Sequence, residues 1–240
     1  MTPECWFRGD LRVLTTITSR RCKTTCALFV ITTWCCSAPA QEAKNKPAAP
    51  DAKQAEKAPK GVPSTLDNLI TAFEGESNAH ARYVEFAKKA DAEGYGPVGS
   101  LFRAAARAEQ VHAANHAEVI KKMGGTPKAD IKKVEAKSTK ENLDAALAGE
   151  NYERLEMYPG FIAKAKTDDK PDAVKTFNYA QMAETEHAKL FKQALDELAQ
   201  WKGGKKDFYV CSVCGYTTMS LNFEKCLSCF SPKEKYEKVN

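Results

Sequence analysis

The chain has 240 residues, which is enough for one medium-sized domain and a second, small one. Hydrophobic residues make up 43% and charged residues 28% of the sequence, proportions that are typical of a soluble protein. The formal net charge is only +5, and the sequence has no basic stretch interleaved with aromatic residues, so we expect no nucleic-acid partner.

The first 40 residues have the pattern of an export signal. Basic residues precede an apolar run, Ala27–Cys36, that is too short to span a bilayer. Residues 38–40 then read Ala-Pro-Ala, which fits the small-residue pattern of a cleavage site. We therefore predict that residues 1–40 are a signal peptide and that the protein is exported to the periplasm. The alternative is a misassigned start, which would leave the protein in the cytoplasm.

Residues 41–63 form a segment rich in alanine, lysine and proline, with almost no large apolar side chain. Such a segment cannot bury enough surface to offset the entropy lost on ordering. The composition therefore predicts a disordered linker.

Residues 64–204 carry four stretches with helical spacing of apolar residues and recognisable end signals. The predicted helices run from Ser64 to about Glu93, Pro97 to Met123, Ser138 to about Lys166, and Pro171 to about Trp201. The connections are short, long and short. This order predicts a mainly α fold, a ferritin-like four-helix bundle with one long crossover at residues 124–138.

The second and fourth predicted helices contain the same phrase, Ala-Glu-x-x-His-Ala. It places Glu109 three residues before His112, and Glu184 three residues before His187. Residues three apart lie on one face of a helix, so each glutamate and its histidine project together.

The first and third helices supply the matching half of this repeat. Each contains Gly-Glu followed by Ser or Asn, which gives Glu76 and Glu150. The chain is therefore a duplicated helical hairpin that brings four carboxylates and two imidazoles together. Such a set suits two iron or manganese ions, with one imidazole for each metal. The alternative is a set of glutamates on a solvated surface.

The duplication has one break, where Glu153 occupies the position of Ala79 in the first hairpin. Glu153 lies one helical turn after Glu150 and is predicted to be a seventh ligand of the metal pair. The alternative is a glutamate that faces solvent. His80 and His116 are expected to be hydrogen-bonded histidines rather than ligands.

Residues 205–240 differ from the helical region in that they contain short strand-like runs and paired cysteines. This difference predicts a separate small module. Its two C-x-x-C motifs are separated by eleven residues and consist of Cys211, Cys214, Cys226 and Cys229. Four thiolates at this spacing predict a tetrahedral all-sulfur metal site. Iron is the first expectation and zinc the second, and two disulfides are the third interpretation.

The combination of these motifs over roughly residues 64–240 resembles the rubrerythrin family, in which a di-iron bundle carries a rubredoxin-like tail. The resemblance implies a non-haem peroxidase that reduces hydrogen peroxide to water with two irons in the bundle and one in the tail. It also implies that one iron exchanges between Glu153 and His112 as its oxidation state changes. In the mechanism that we expect, Glu153 or a carboxylate near it handles the proton. Tyr83 and Tyr158 match tyrosines that the family places beside the cluster, and we take them with Glu153 as candidate catalytic residues.

The resemblance further implies a head-to-tail homodimer in which the tail of one subunit serves the cluster of the other. An electron donor protein is also required, and the sequence does not identify it. The tail departs from the rubredoxin pattern at Leu227 and Phe230, where a proline and a small residue are expected. Two other functions remain open, namely an iron-handling ferroxidase and a non-catalytic metal-binding protein with zinc in the tail.

Overall fold

The computed structural model describes residues 61–240. The predicted signal peptide and the predicted linker up to residue 60 lie outside the described residues. None of the helices within residues 61–240 combines the length and apolar character that a membrane span requires.

Five α-helices form the larger part of residues 61–240, and four of them start at or next to the predicted positions. Ser64 caps the first helix, and Ser138 caps the third, each in a capping box with an acidic residue three positions later. The helices are α1 Thr65–Ala92, α2 Gly96–Lys122, α3 Thr139–Tyr152, α4 Tyr158–Thr167 and α5 Pro171–Asp196. Since α3 and α4 together correspond to the third predicted helix, the four-helix arrangement with one long crossover is confirmed.

The third predicted helix is not continuous, because a π-helical turn, Glu153–Met157, separates α3 from α4. A π turn leaves the regular hydrogen-bond ladder, and the side chain of Gln181 on α5 compensates by donating to the carbonyl of Arg154 at 3.0 Å. The fourth helix ends earlier than its predicted end at about Trp201. Helix α5 ends at Asp196, and a 3₁₀ turn, Leu198–Trp201, follows it.

The bundle core consists of two apolar clusters that lie one beyond the other along the helices. One contains Tyr83, Phe102 and Phe191, whose ring centroids are 5.3–5.8 Å apart. The other contains Tyr158 and Phe177, with centroids 5.9 Å apart. Along each helix, the predicted ligands of the bundle fall between the members of these clusters. A buried polar layer is therefore enclosed by apolar layers.

The C-terminal module is a three-stranded antiparallel sheet of order β2-β1-β3. Its strands are β1 Phe208–Cys211, β2 Thr217–Thr218 and β3 Tyr236–Val239. Phe208 stacks on Trp201 at a centroid distance of 6.4 Å and belongs to the first apolar cluster of the bundle. The module therefore packs directly against the helices of its own chain.

Candidate metal centres

Six of the predicted ligands meet in the polar layer of the bundle, and each is at most 1% exposed. They are Glu76, Glu109, His112, Glu150, Glu184 and His187. Helices α1 and α3 each contribute one glutamate, whereas α2 and α5 each contribute a glutamate and the histidine three residues later. The two halves of the duplicated hairpin thus bring their predicted ligands together in one cluster.

The ligand atoms form two overlapping groups of four, and within each group all lie within 4.8 Å of one another. Glu109 and Glu184 belong to both groups; Glu76 and His112 complete the first, and Glu150 and His187 complete the second.

Each shared carboxylate directs one oxygen to each imidazole. Nδ1 of His112 lies 2.8 Å from Glu109 Oε2 and 3.0 Å from Glu184 Oε1. Nδ1 of His187 lies 2.9 Å from Glu184 Oε2 and 3.4 Å from Glu109 Oε1. This is the arrangement of two carboxylates that bridge a pair of metal ions.

Unpaired polar atoms in this layer support a metal site. Among residues 61–240 no hydrogen-bond partner is found for Glu76 Oε2, Glu109 Oε1, Glu150 Oε2, both Glu184 oxygens and His187 Nδ1. A buried polar group without a partner costs about 1–3 kcal/mol, and more if it is charged. These atoms are carboxylate oxygens and an imidazole nitrogen, a donor set that iron and manganese accept. The residues therefore fit a pair of such ions.

The mutual pKa shifts show the same excess of negative charge. Burial, and then the charges of Glu109 and Glu184, raise the pKa of Glu76 well above its usual value. Burial also raises the pKa of Glu150 to about 8, with the help of the neighbouring carboxylates Glu184 and Glu109 and against the opposing effect of His187, whose Nδ1 lies 3.7 Å from Glu150 Oε2. Burial would lower the pKa of His112, but Glu184 and Glu109 outweigh it and raise the value to about 10. Two imidazoles cannot balance four carboxylates, so protons or metal ions must.

The two predicted tyrosines each hold one carboxylate of the cluster. The hydroxyl of Tyr83 donates to Glu150 Oε1 at 2.5 Å, and the hydroxyl of Tyr158 donates to Glu76 Oε1. Both tyrosines are buried. Because each one occupies Oε1, the Oε2 atom of the same glutamate is left free for a metal ion. The unpaired oxygens of these two glutamates are the Oε2 atoms.

His116 is hydrogen-bonded and belongs to neither ligand group, as expected. Its Nε2 lies 3.1 Å from the Tyr158 hydroxyl, and its Nδ1 lies 3.0 Å from Thr176 Oγ1. Since the Tyr158 hydroxyl donates to Glu76, Nε2–H of His116 donates to Tyr158, and Nδ1 accepts from Thr176. Burial lowers the pKa of His116 to about 3, which keeps the ring neutral. Nothing in the sequence indicated the contribution of Thr176.

Glu153 lies outside both ligand groups of the described residues. It begins the π-helical turn, is partly buried and lines a cavity of about 500 Å³ beside α1. Burial, and then the charges of Glu76 and Glu150, raise its pKa well above the usual value. The expected exchange between Glu153 and His112 remains a prediction; in the structure, His112 is the residue in the ligand group.

The four cysteines of the tail form a second candidate centre. Sγ of Cys211 lies 3.7 Å from that of Cys229, and Sγ of Cys214 lies 3.6 Å from that of Cys226. Thiolates about 2.3 Å from one tetrahedral ion are about 3.8 Å apart, whereas bonded sulfurs are about 2.0 Å apart. All four cysteines are free. The disulfide interpretation is therefore wrong for this structure, and the site fits one iron or zinc ion.

Two groups from the tail hold the imidazoles of the bundle. Nε2 of His112 lies 3.1 Å from the Cys214 carbonyl, and Nε2 of His187 lies 2.9 Å from Thr217 Oγ1. Both rings can thus carry a proton on Nε2 and present Nδ1 to the shared carboxylates. Gly215, with φ +80°, allows this approach, since a Cβ there would overlap the His112 ring. The sequence motifs gave no indication of Thr217.

The tail therefore reaches the bundle of its own chain, whereas the resemblance led us to expect it at the bundle of a partner subunit. Further contacts support this position. Arg107 pairs with Glu237 at 2.7 Å, and Asn115 donates to the Val213 carbonyl at 2.9 Å. The predicted dimer itself remains a prediction.

Comparison with known proteins agrees with this geometry. A family model described as "Rubrerythrin" matches residues 67–195. Nigerythrin from Nitratidesulfovibrio vulgaris is 39% identical over 176 residues, which cover 73% of this chain and 86% of nigerythrin. The chain belongs to the rubrerythrin family. Rubrerythrin-2 from Clostridium acetobutylicum is 37% identical over 183 residues, covering 72% of this chain and 95% of that protein.

Solved structures give the same relationship. Fully reduced, all-ferrous nigerythrin matches with a TM-score of 0.68 at 35% identity, over 77% of this chain and 90% of that one. Bacterioferritin from Mycobacterium tuberculosis, at 22% identity and a TM-score of 0.53, shares the fold alone. Family membership and the donor sets together support a di-iron oxidative-stress protein of the oxidoreductase class.

Replacement of Thr217 by valine should weaken metal binding in the bundle. Valine keeps the shape of threonine but removes the oxygen that orients His187, and loss of such a partner typically weakens metal affinity about 10–100-fold. Competition with a chelator measures this affinity. The matched control is Thr218→Val on the same strand, where the hydroxyl contacts only the Ser220 backbone. Equal affinities in the two variants would show that Thr217 does not position His187.

The metal-free protein should lose stability as the pH rises. Glu150 has a folded pKa of about 8 against an ordinary value of 4.5, so the folded state binds the extra proton between these pH values. His112 does the same between 6.5 and about 10. Stability then falls with rising pH over both intervals. Thermal denaturation of the chelated protein should show a melting temperature that falls between about pH 5 and pH 9.

The metal-loaded protein provides the control for this pH dependence. Bound metal ions take the place of the protons, so the melting temperature of the metal-loaded protein should not fall over this pH range. A metal-free protein whose melting temperature stays constant or rises over the same range would contradict the charge balance described above.

Proposed function

We propose that this protein is a non-haem di-iron peroxidase that reduces hydrogen peroxide to water. One observation supports this function above the others: a four-cysteine site lies one hydrogen bond away from a pair of carboxylate–imidazole groups. When bound, two ferrous ions in the bundle would supply the two electrons of the reduction, and a single iron in the tail would replace them one at a time. The reaction balances as H₂O₂ + 2 e⁻ + 2 H⁺ → 2 H₂O.

In this proposal the residues of the bundle have distinct roles. Glu109 and Glu184 would hold both ions of the pair, and each terminal glutamate is fixed by a tyrosine, Tyr83 or Tyr158. Glu153 stands at the wall of a cavity, where its carboxyl group can give a proton to a peroxide oxygen and take another from solvent. Its position beside the pair, rather than in it, suits that role.

The contact between tail and bundle favours a peroxidase over an iron-handling protein. The Cys214 carbonyl accepts the Nε2–H of His112, which joins a cysteine of one candidate site to a ligand of the other. A protein that only stores iron has no need for such a connection. The proposal therefore assigns iron, rather than zinc, to the four cysteines.

We extend the proposal to assembly and location. An external one-electron carrier would reduce the four-cysteine site, and Cys229 is the one cysteine of that site that is not fully buried. In a head-to-tail dimer, the tails would be exchanged so that Cys214 and Thr217 of one subunit met the histidines of the other. The export signal would place the protein, and with it the donor, in the periplasm.

Stopped-flow mixing of the reduced, iron-loaded protein with hydrogen peroxide tests the proposed function. Both iron centres should be oxidised faster than free ferrous ion at the same concentration, with the four-cysteine chromophore following the bundle. If neither centre is oxidised faster than free ferrous ion, the peroxidase proposal is wrong. If oxygen outcompetes peroxide, the ferroxidase alternative is favoured.

The Glu153→Ala variant should retain its iron but lose peroxidase turnover. Removing a positioned proton donor typically costs about 10²–10⁴-fold in rate. The matched control is Glu156→Ala on the same π-helical turn, where the side chain is exposed. Steady-state turnover with hydrogen peroxide measures both variants. Full turnover in Glu153→Ala would show that the break in the duplication is incidental to catalysis.

A further inference from the structure

The cavity that Glu153 lines is larger than hydrogen peroxide requires. It measures about 500 Å³ and lies between α1, the π-helical turn and the crossover segment 124–138. We call it the crossover cavity. A water molecule accounts for about 30 Å³ of liquid, and hydrogen peroxide is only modestly larger, whereas sites for small organic ligands measure roughly 300–1,000 Å³. The crossover cavity has the size of the second class.

The walls of the crossover cavity combine apolar side chains with the carboxyl group of Glu153. Phe86 and Val134 provide apolar surface, and Arg82 and Lys132 provide polar rim. Glu153, which lies one helical turn after the predicted ligand Glu150, is also part of this wall. A molecule with an alkyl group at one end and a peroxide at the other matches this distribution.

The outer wall of the crossover cavity is fixed by one side chain of α1. Asn78 Nδ2 donates to the Asp130 carbonyl at 3.1 Å, and Asn78 Oδ1 accepts from the Lys132 backbone N–H at 2.9 Å. These two bonds attach the crossover segment to α1 across the polar layer. The cavity is therefore a fixed feature of the fold, bounded by two elements that are tied together.

Gly75 leaves the crossover cavity open. It lines the cavity one residue before Glu76, and a Cβ built on it meets no other atom within 4 Å. A longer side chain would thus project into empty space instead of clashing with the protein. Gly75 is the one glycine among the residues that line the cavity, so it is the lining position where a side chain can be added without replacing another.

We propose that the crossover cavity admits organic hydroperoxides to the di-iron site, and that Gly75 sets the size of the molecule that can enter. The inference rests on the proposed peroxidase function and extends its substrate class. The O–O bond of the hydroperoxide breaks, and two electrons from the same source and two protons give an alcohol and water: ROOH + 2 e⁻ + 2 H⁺ → ROH + H₂O.

The internal duplication supplies a matched control. Gly149 precedes Glu150 as Gly75 precedes Glu76, and a Cβ on it also meets nothing within 4 Å. Gly149 is not among the residues that line the crossover cavity. Gly149→Leu therefore repeats the chemical change at the equivalent position of the other hairpin, outside that cavity.

The experiment compares tert-butyl hydroperoxide with hydrogen peroxide as oxidants of the reduced, iron-loaded protein. The wild type should be oxidised by both. Gly75→Leu should slow the reaction with tert-butyl hydroperoxide about tenfold or more beyond any effect on hydrogen peroxide, whereas Gly149→Leu should change neither. Leucine favours a helix more than glycine, so the variants should fold, and their melting temperatures will show this. Gly75→Ala should give a smaller effect of the same kind.

A structural readout is independent of activity. Crystals of the wild type soaked in tert-butanol, the expected product, should show it in the crossover cavity, and crystals of Gly75→Leu should not. Density that is equally strong in Gly75→Leu, or that lies only elsewhere, would identify an adventitious additive only and overturn the inference.

The kinetic outcomes separate the two proposals. If hydrogen peroxide oxidises the wild type rapidly and tert-butyl hydroperoxide does not, the inference is wrong and the peroxidase proposal stands. Equal slowing of both oxidants in Gly75→Leu, or the same selectivity in Gly149→Leu, also overturns the inference. If neither oxidant reacts with the wild type, the proposed function fails and the inference fails with it.

Discussion

The burial of four glutamates in one layer of the bundle is the constraint on which the rest of the structure depends. Burial, together with the charges of neighbouring carboxylates, raises the pKa values of Glu76 and Glu150, and five of the eight carboxylate oxygens have no hydrogen-bond partner within residues 61–240. Such a layer is stable only if cations or protons balance it. The remaining features of the layer serve that balance: two imidazoles complete the donor sets, and two tyrosines fix the terminal glutamates in single orientations.

The tail completes this layer from outside the bundle. Its backbone at Cys214 and its side chain at Thr217 reach the far side of the two ligand rings, and Gly215 leaves room for the approach. The four-cysteine site and the carboxylate layer are therefore not independent modules joined by a linker. The contacts that orient the imidazoles are also the contacts that bring the sulfur site next to them. In the proposed function, the orientation of the imidazoles and the supply of electrons would therefore depend on the same interface.

The parts of this arrangement that could be predicted from the sequence are those encoded locally. Helix starts follow from capping residues such as Ser64 and Ser138, and the ligand pairs follow from a spacing of three on a helix. No local sequence signal marks the π-helical turn, and the side chain that donates to its Arg154 carbonyl, Gln181, belongs to another helix. Thr217 and the position of the tail were missed for the same reason, since contacts between distant segments leave no periodic signal. Glu153, which lies outside both ligand groups, is the first residue of that π-helical turn.

The central claim is that Glu109 and Glu184 are shared between two iron ions, with a third iron held by the cysteines. Anomalous diffraction from crystals of the iron-loaded protein, recorded on both sides of the iron absorption edge, tests it most directly. We expect two iron peaks in the bundle, one on each side of the shared carboxylates, and a third peak among the four sulfur atoms. A single peak in the bundle, or a cysteine site with a zinc signal instead of an iron signal, would contradict it.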